Sequence, residues 1–187
     1  VRIRSGRGYV SYPFQLTVPK NIEKPLVFLY LSFFPLSSAE IVEEITDNGF
    51  AVARVSYQDI APDQNDGFQN GPGSLFPGNA YDSWGKLGVW AWGLSRIMDY
   101  LVQEETLDAG RVAVVGHSRL GKAALLCGAM DDRFSLVIAC ESGAGGAALF
   151  RGKEGENVAD LCRNFPYWFC GNFKKWQYRE EELPLDQ

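Results

Sequence analysis

Ser118 stands in the run Gly116-His117-Ser118-Arg119-Leu120-Gly121, directly after the β-branched stretch Arg111-Val-Ala-Val-Val115 and before an apolar helix-forming segment from Lys122 to Met130. A serine at a sharp strand-to-helix turn is the arrangement that makes a hydroxyl into an acyl-transfer nucleophile. The turn lifts the hydroxyl above the sheet, and glycines remove the side chains that would clash there. The following helix aims free amide N–H groups and its dipole at a developing oxyanion. The spacing is G-x-S-x-x-G, one residue longer than the usual elbow, so the motif gains its weight from the strand before it and the helix after it. The competing reading is an ordinary glycine-rich βα turn with an incidental serine. A dinucleotide loop fails because G-x-G-x-x-G is absent, and a phosphate loop fails because Lys122 lacks the required G-x-x-x-x-G before it.

A serine nucleophile needs a base and an acid to orient it. His117 is the single histidine, and neighbouring side chains on a sharp turn point apart, so it is not expected to reach the Ser118 hydroxyl. Where the nucleophile sits on such a turn, the histidine follows the acid late in the chain. The base and the last strands are therefore expected beyond Gln187, and residues 1–187 read as a single, incomplete domain. Glu141 is the best-placed acid. It ends the apolar run Phe134–Cys140 and enters Ser142-Gly-Ala-Gly-Gly146, and the carboxyl ends of parallel strands are where such sheets gather functional groups. Its competing reading is a helix-capping or loop carboxylate.

The elements that must position these residues alternate along the chain. Tyr12–Val18 alternates like an edge strand, and Pro25–Leu31 is a continuous apolar run, the mark of a strand covered on both faces. Ser38–Ile45 opens on a capping serine and puts Ile41, Val42 and Ile45 on one helical face, with Gly49 closing it. Phe50–Ser56 is the next strand. A long polar loop, Gln58–Asn79, follows, and loops of this length are often functional. Tyr81–Glu105 carries a helical apolar stripe, in which Trp84, Trp90 and Trp92 are expected in the core. The strand–helix alternation predicts an α/β fold, a mostly parallel sheet with helices on both faces.

Gly116-His-Ser-Arg-Leu-Gly-Lys122 followed by Glu141-Ser-Gly-Ala-Gly-Gly146 resembles the glucuronoyl esterases of carbohydrate esterase family 15. The likeness to the bacterial branch extends through Asp66-Gly-Phe-Gln-Asn-Gly71, Trp84 to Asp99, Asn164-Phe-Pro-Tyr-Trp-Phe169 and Leu183-Pro-Leu-Asp-Gln187, running from about Pro25 to the last residue. The resemblance implies an α/β-hydrolase that cleaves the ester between a lignin alcohol and a (4-O-methyl-)glucuronate on xylan, with no metal or cofactor. It implies Ser118 as nucleophile and Arg119 as oxyanion-hole donor through its backbone N–H and guanidinium. Glu141 becomes the acid that orients the histidine, and Lys122 and Glu156 become sugar contacts. A cation pair beside the serine suits an anion forming on the carbonyl; for Lys122 the alternative is a helix-surface lysine and for Glu156 a solvated loop charge. The resemblance also implies a secreted or periplasmic protein, although Val1-Arg2-Ile3-Arg4 opens no apolar signal region. Leu31-Ser-Phe-Phe-Pro35 departs from the family in lacking polar residues at a strand exit. Trp168 and Trp176 are open between sugar platform and packing.

Composition narrows the partners. With 23 acidic and 18 basic residues the net charge is −5, which argues against nucleic acid and anionic membrane surfaces. No apolar run is long enough to span a bilayer. Cys127 and Cys140 sit in apolar runs and are expected in the core, while Cys162 and Cys170 are left open to bridging. Two further readings stand beside the uronate esterase. One is an esterase of acetylated or feruloylated xylan. The other is a catalytically incomplete hydrolase fragment that binds carbohydrate or does no chemistry.

Overall fold

The computed structural model describes residues 1–38, 41–76, 78–79, 81–152 and 154–184. Its sheet has strand order β3-β5-β4-β6-β7, made of β3 (Gln15–Thr17), β4 (Val27–Ser32), β5 (Ala51–Ser56), β6 (Val112–His117) and β7 (Phe134–Cys140). β4, β5, β6 and β7 run parallel, and β3 joins the edge antiparallel to β5. The apolar run of β4 lies between β5 and β6, with Val27, Leu29 and Leu31 buried. β7 is the opposite edge among the described residues, and Leu136 on it is exposed.

α1 (Val42–Asp47) packs on β5, the short α2 (Tyr57–Ile60) follows β5 and touches α3 (Lys86–Leu101), and α3 and α4 (Arg119–Met130) pack on each other, α4 against β6 and β7. The stripe of α3 fills the core through Trp90, Leu94, Ile97, Met98 and Leu101. Trp90 is locked by its indole N–H, which donates to the Ala61 carbonyl at 2.9 Å. A second cluster of Ala144, Phe150, Val158, Leu161 and Cys162 lies around α5 (Val158–Asn164), whose N-terminus carries a reciprocal cap between Asn157 and Asp160.

Several expectations are corrected. The edge strand shortens to Gln15–Thr17, because Tyr12 turns into the core and its hydroxyl donates to the Gly93 carbonyl at 2.7 Å. The N-terminal hairpin of β1 (Arg2–Ser5) and β2 (Gly8–Ser11) was not anticipated; Arg2-Ile3-Arg4 alternates with too little apolar weight to announce a strand. The Ser38 hydroxyl donates to the Pro35 carbonyl rather than capping α1, and α1 buries no residue; Ala39 and Glu40 of that expected helix lie outside the described residues, as do Leu185, Asp186 and Gln187 of the last quoted motif. The long helix begins only at Lys86. Of its tryptophans Trp90 alone is fully buried: Trp84 is exposed, stacked on Phe76, and Trp92 is half-buried. Cys127 is buried as expected, but Cys140, the last residue of the edge strand, is exposed; all four cysteines are free.

The far end of α4 is tied to α3. Arg133 bonds Asp131 at 2.7 Å and Asp99 at 2.9 Å, and reaches the Ser95 carbonyl. The Arg133 hydrogen bond, against burial and with help from Ser95, pulls the Asp131 carboxyl down to about 2 from an ordinary 3.8. A depressed carboxylate stabilises the fold above its ordinary pKa and loses that contribution as pH falls through the folded value. Urea unfolding between pH 4 and 2 should therefore show a loss of about 1–2 kcal/mol from this pair, discounted for the partly exposed Arg133. Asp131→Asn should flatten that part of the pH dependence.

Candidate active site

Ser118 is the first residue past β6 and the N-cap of α4, with φ 55° and ψ −125°. This left-handed backbone costs a non-glycine residue on the order of 1–3 kcal/mol and persists only where the surroundings impose it. Here the imposition is visible. The Ser118 amide donates to the Cys140 carbonyl at 2.8 Å, and the Lys122 amide returns to the Ser118 carbonyl at 3.2 Å. Gly116 lets the helix turn back on the strand: a Cβ there would sit 2.1 Å from the Leu120 carbonyl oxygen. The Arg119 amide, at the first helical position, is one of the N–H groups that a helix start leaves free for an oxyanion.

Glu141 follows the neighbouring strand. His117 pairs in register with Cys140, so Ser118 and Glu141 leave adjacent parallel strands at the same level. Glu141 is itself left-handed, with φ 45°, and its side chain is 85% exposed, 3.9 Å from His117 Nε2. The loop behind it is fixed by Lys122, whose ammonium donates to the carbonyls of Ser142 at 2.5 Å and Ala144 at 2.6 Å. Lys122 is thus buried rather than a surface lysine. It nonetheless lies under exposed Gly143, where a Cβ would come 3.6 Å from Nζ. Glu156 is exposed in the loop before α5.

Arg119 is held from three directions. Its Nη1 meets Asp63 Oδ2 at 2.5 Å, and the guanidinium lies 4.8 Å from the Trp168 ring, 5.5 Å from Phe165 and 5.9 Å from Phe33. Trp168 and Phe165 stack with centroids 3.7 Å apart. The Trp168 indole N–H donates to Asp63 Oδ1 at 2.8 Å, and the Tyr167 hydroxyl donates to the Asp63 carbonyl at 3.2 Å. Burial first, then the Asp63 charge, raises the Tyr167 pKa, keeping the phenol a neutral donor. Trp168 is therefore packing, as is Trp176, which rests on the second apolar cluster.

The segment that carries Trp168 is nailed to the start of α3. The amides of Lys86 and Leu87 donate to the carbonyls of Tyr167 and Trp168, and Gly85 permits the approach: a Cβ there would lie 1.9 Å from the Trp168 oxygen. Lys86 turns inward to Asp66 at 2.9 Å, with both side chains buried. Burial alone would raise the Asp66 carboxyl, but hydrogen bonds from Lys86 and Asn70, the Lys86 charge and the Phe68 amide outweigh it and lower its pKa. This pair anchors the polar loop that also bears Asp63.

Sequence reasoning reached Ser118, Arg119, Glu141 and Lys122, and the structure gathers all four at the carboxyl ends of β6 and β7; for Glu156 it gives only exposure. Asp63, Phe33 and Phe165 were missed. The one available signal was the length and polarity of the Gln58–Asn79 loop, which marks a region and not a residue. Phe33 also accounts for the apolar strand exit, since its ring faces Arg119, Tyr57 and His117. Among the described residues no group of three His, Cys, Asp or Glu side chains is placed to hold a metal, and no helix is long and apolar enough to cross a membrane.

A mixed, mostly parallel sheet with a left-handed serine between a strand and a helix defines an α/β-hydrolase. The family described as glucuronyl esterase of fungi matches residues 1–187, and the chain belongs to that family. It is 39% identical over 160 residues to a carbohydrate esterase, MZ0003, of an unknown prokaryotic organism, covering 78% of this chain and 35% of that protein. It is 36% identical over 150 residues to the 4-O-methyl-glucuronoyl methylesterase of Podospora anserina, covering 74% and 31%. The solved glucuronoyl esterase of Solibacter usitatus superposes with a TM-score of 0.83 at 38% identity, over 92% of this chain and 54% of that one. The chain thus spans about a third of the length of the first two and about half of the third.

The elbow tolerates no side chain at Gly116. Gly116→Ala should destabilise the protein by more than about 3 kcal/mol, because the clash is with backbone. Chemical denaturation checks this against Gly152→Ala, where a Cβ meets nothing within 4 Å but the backbone is left-handed, which should cost about 1 kcal/mol.

Proposed function

We propose that these residues form the nucleophile and acid portion of a glucuronoyl esterase, which hydrolyses the ester between lignin alcohols and (4-O-methyl-)glucuronate of xylan. The observation that carries the reading is the strained Ser118, fixed by its amide on Cys140 so that it leaves the sheet beside Glu141. Ser118 Oγ attacks the ester carbonyl carbon and gives its proton to a histidine base, the general base that a serine nucleophile of this kind requires. The oxyanion is met by the Arg119 amide and guanidinium and by the start of α4. Collapse expels the alcohol, which takes the proton from the histidine and leaves a uronoyl ester on Ser118. Water, deprotonated by the same base, then releases the uronate and restores the hydroxyl.

Glu141 would orient and charge-stabilise that histidine. Lys122 fixes the Glu141 loop and, beneath side-chain-free Gly143, lies within approach of sugar hydroxyls; Glu156 would contribute a further sugar contact. No metal or cofactor is required by these steps. A polymeric substrate of this kind fits a secreted or periplasmic enzyme. Acetyl or feruloyl xylan are the competing substrates, and a fragment without catalysis is the competing non-enzymatic reading.

The test is hydrolysis of benzyl glucuronate, benzyl acetate and methyl ferulate by the full-length protein. Uronate-selective turnover is expected, lost by at least about 10⁴-fold in Ser118→Ala. Glu141→Gln should lower kcat by about 10²–10⁴-fold with little change in KM. Retained activity in Ser118→Ala removes the nucleophile assignment, and selectivity for acetate or ferulate transfers the reading to the competing esters.

A further inference from the structure

Arg119 is a cation beside a nucleophile whose reaction converts a neutral ester into an anion. Once uronate has formed, its carboxylate occupies the place of the ester carbonyl, against the same donors. An unpaired guanidinium at that position would hold the product by charge. Asp63 pairs with that guanidinium. Its carboxylate is 5% exposed, with one oxygen 2.5 Å from Arg119 Nη1 and the other accepting from the Trp168 indole at 2.8 Å. Its backbone is fixed as well, the amide donating to Gln58 Oε1 at 3.0 Å and the carbonyl accepting from Tyr167. The Arg119 side chain keeps 31% of its surface open, so the pair stands at the site and not behind it.

We propose that Asp63 is a positioning residue that also cancels the net charge of Arg119, so that the site prefers neutral uronate ester over the free uronate it produces. This rests on the proposed function. Pairing removes one of five guanidinium donors and leaves the Arg119 amide and the helix start untouched. The short, directional bonds that serve a transient oxyanion are therefore retained, while the non-directional attraction for a stable carboxylate falls. Trp168 contributes alignment alone, through its indole donor and its ring under the guanidinium.

The experiment is calorimetric titration of the full-length protein, in a Ser118→Ala background, with sodium glucuronate and with methyl glucuronate. The parent should bind the neutral ester more tightly than the anion. Adding Asp63→Asn should tighten glucuronate about tenfold, the scale of removing one charge a few ångström away in a half-wet site, and leave methyl glucuronate nearly unchanged. Adding Trp168→Phe instead, which keeps both charges, should tighten neither. With Ser118 restored, Asp63→Asn should lower kcat and lower the inhibition constant for glucuronate in parallel, a gain in binding that mere structural damage does not produce. No tightening in Asp63→Asn, or the same tightening in Trp168→Phe, overturns the proposal. So does a parent that prefers the anion, which decides the matter even if Asp63→Asn does not fold. Absence of uronate ester turnover in the protein with Ser118 intact would instead remove the proposed function. Titration with acetate and ferulate, the anions of the competing esters, would then read the charge effect by the same criterion.

Discussion

The contact on which the candidate site depends is the Arg119–Asp63 ion pair, closed on one side by the Trp168–Phe165 ring stack. It joins three segments far apart in sequence: the loop after β5, the start of α4 and the segment after α5. A largely buried carboxylate is tolerable only when its oxygens are paired, and both oxygens of Asp63 are. Each partner is itself held. Tyr167 and Trp168 give their carbonyls to the first amides of α3, Gly85 makes room for them, and Lys86 at that same terminus reaches Asp66 on the Asp63 loop. The result is a linked set of polar contacts beside Ser118, with the hydrophobic core of α3 beneath it.

Against that frame the strain at Ser118 becomes affordable. A left-handed serine is kept because β6 and β7 fix its amide, α4 begins immediately after it, and Gly116 leaves no side chain in the way. Glu141 repeats the device one strand over, left-handed at the end of β7 and backed by the Lys122 ammonium on the loop carbonyls. Two unfavourable backbone conformations thus set Ser118 and Glu141 side by side. Their cost is offset by sheet registration and by helix packing elsewhere.

What the sequence made legible follows from the range of the forces involved. The parallel strands and the Ser118 turn rest on local patterns, an apolar run ending in a glycine-flanked serine, and such patterns are visible in one dimension. The core role of Trp90 was legible from helical period, whereas Trp84 lies before the helix starts and escapes it. Cys140 reads as core because its neighbours are apolar, but it ends β7, an edge strand among the described residues, and is exposed. Asp63 was invisible for a different reason. The loop holds several carboxylates, and only the folding of the Phe165–Trp168 segment onto α3 selects which one meets Arg119. The apolar Phe33, a departure from the expected polar strand exit, becomes intelligible once its ring is seen against the guanidinium.

The proposed reaction puts the acyl group on Ser118. Its most direct test is to mix the full-length protein with benzyl glucuronate, quench in acid on the millisecond-to-second scale, and map the covalent mass by peptide mass spectrometry. A uronoyl adduct is expected on the peptide containing Ser118, appearing before steady-state product and absent in Ser118→Ala. Turnover without such an adduct, or an adduct on another residue, would contradict it.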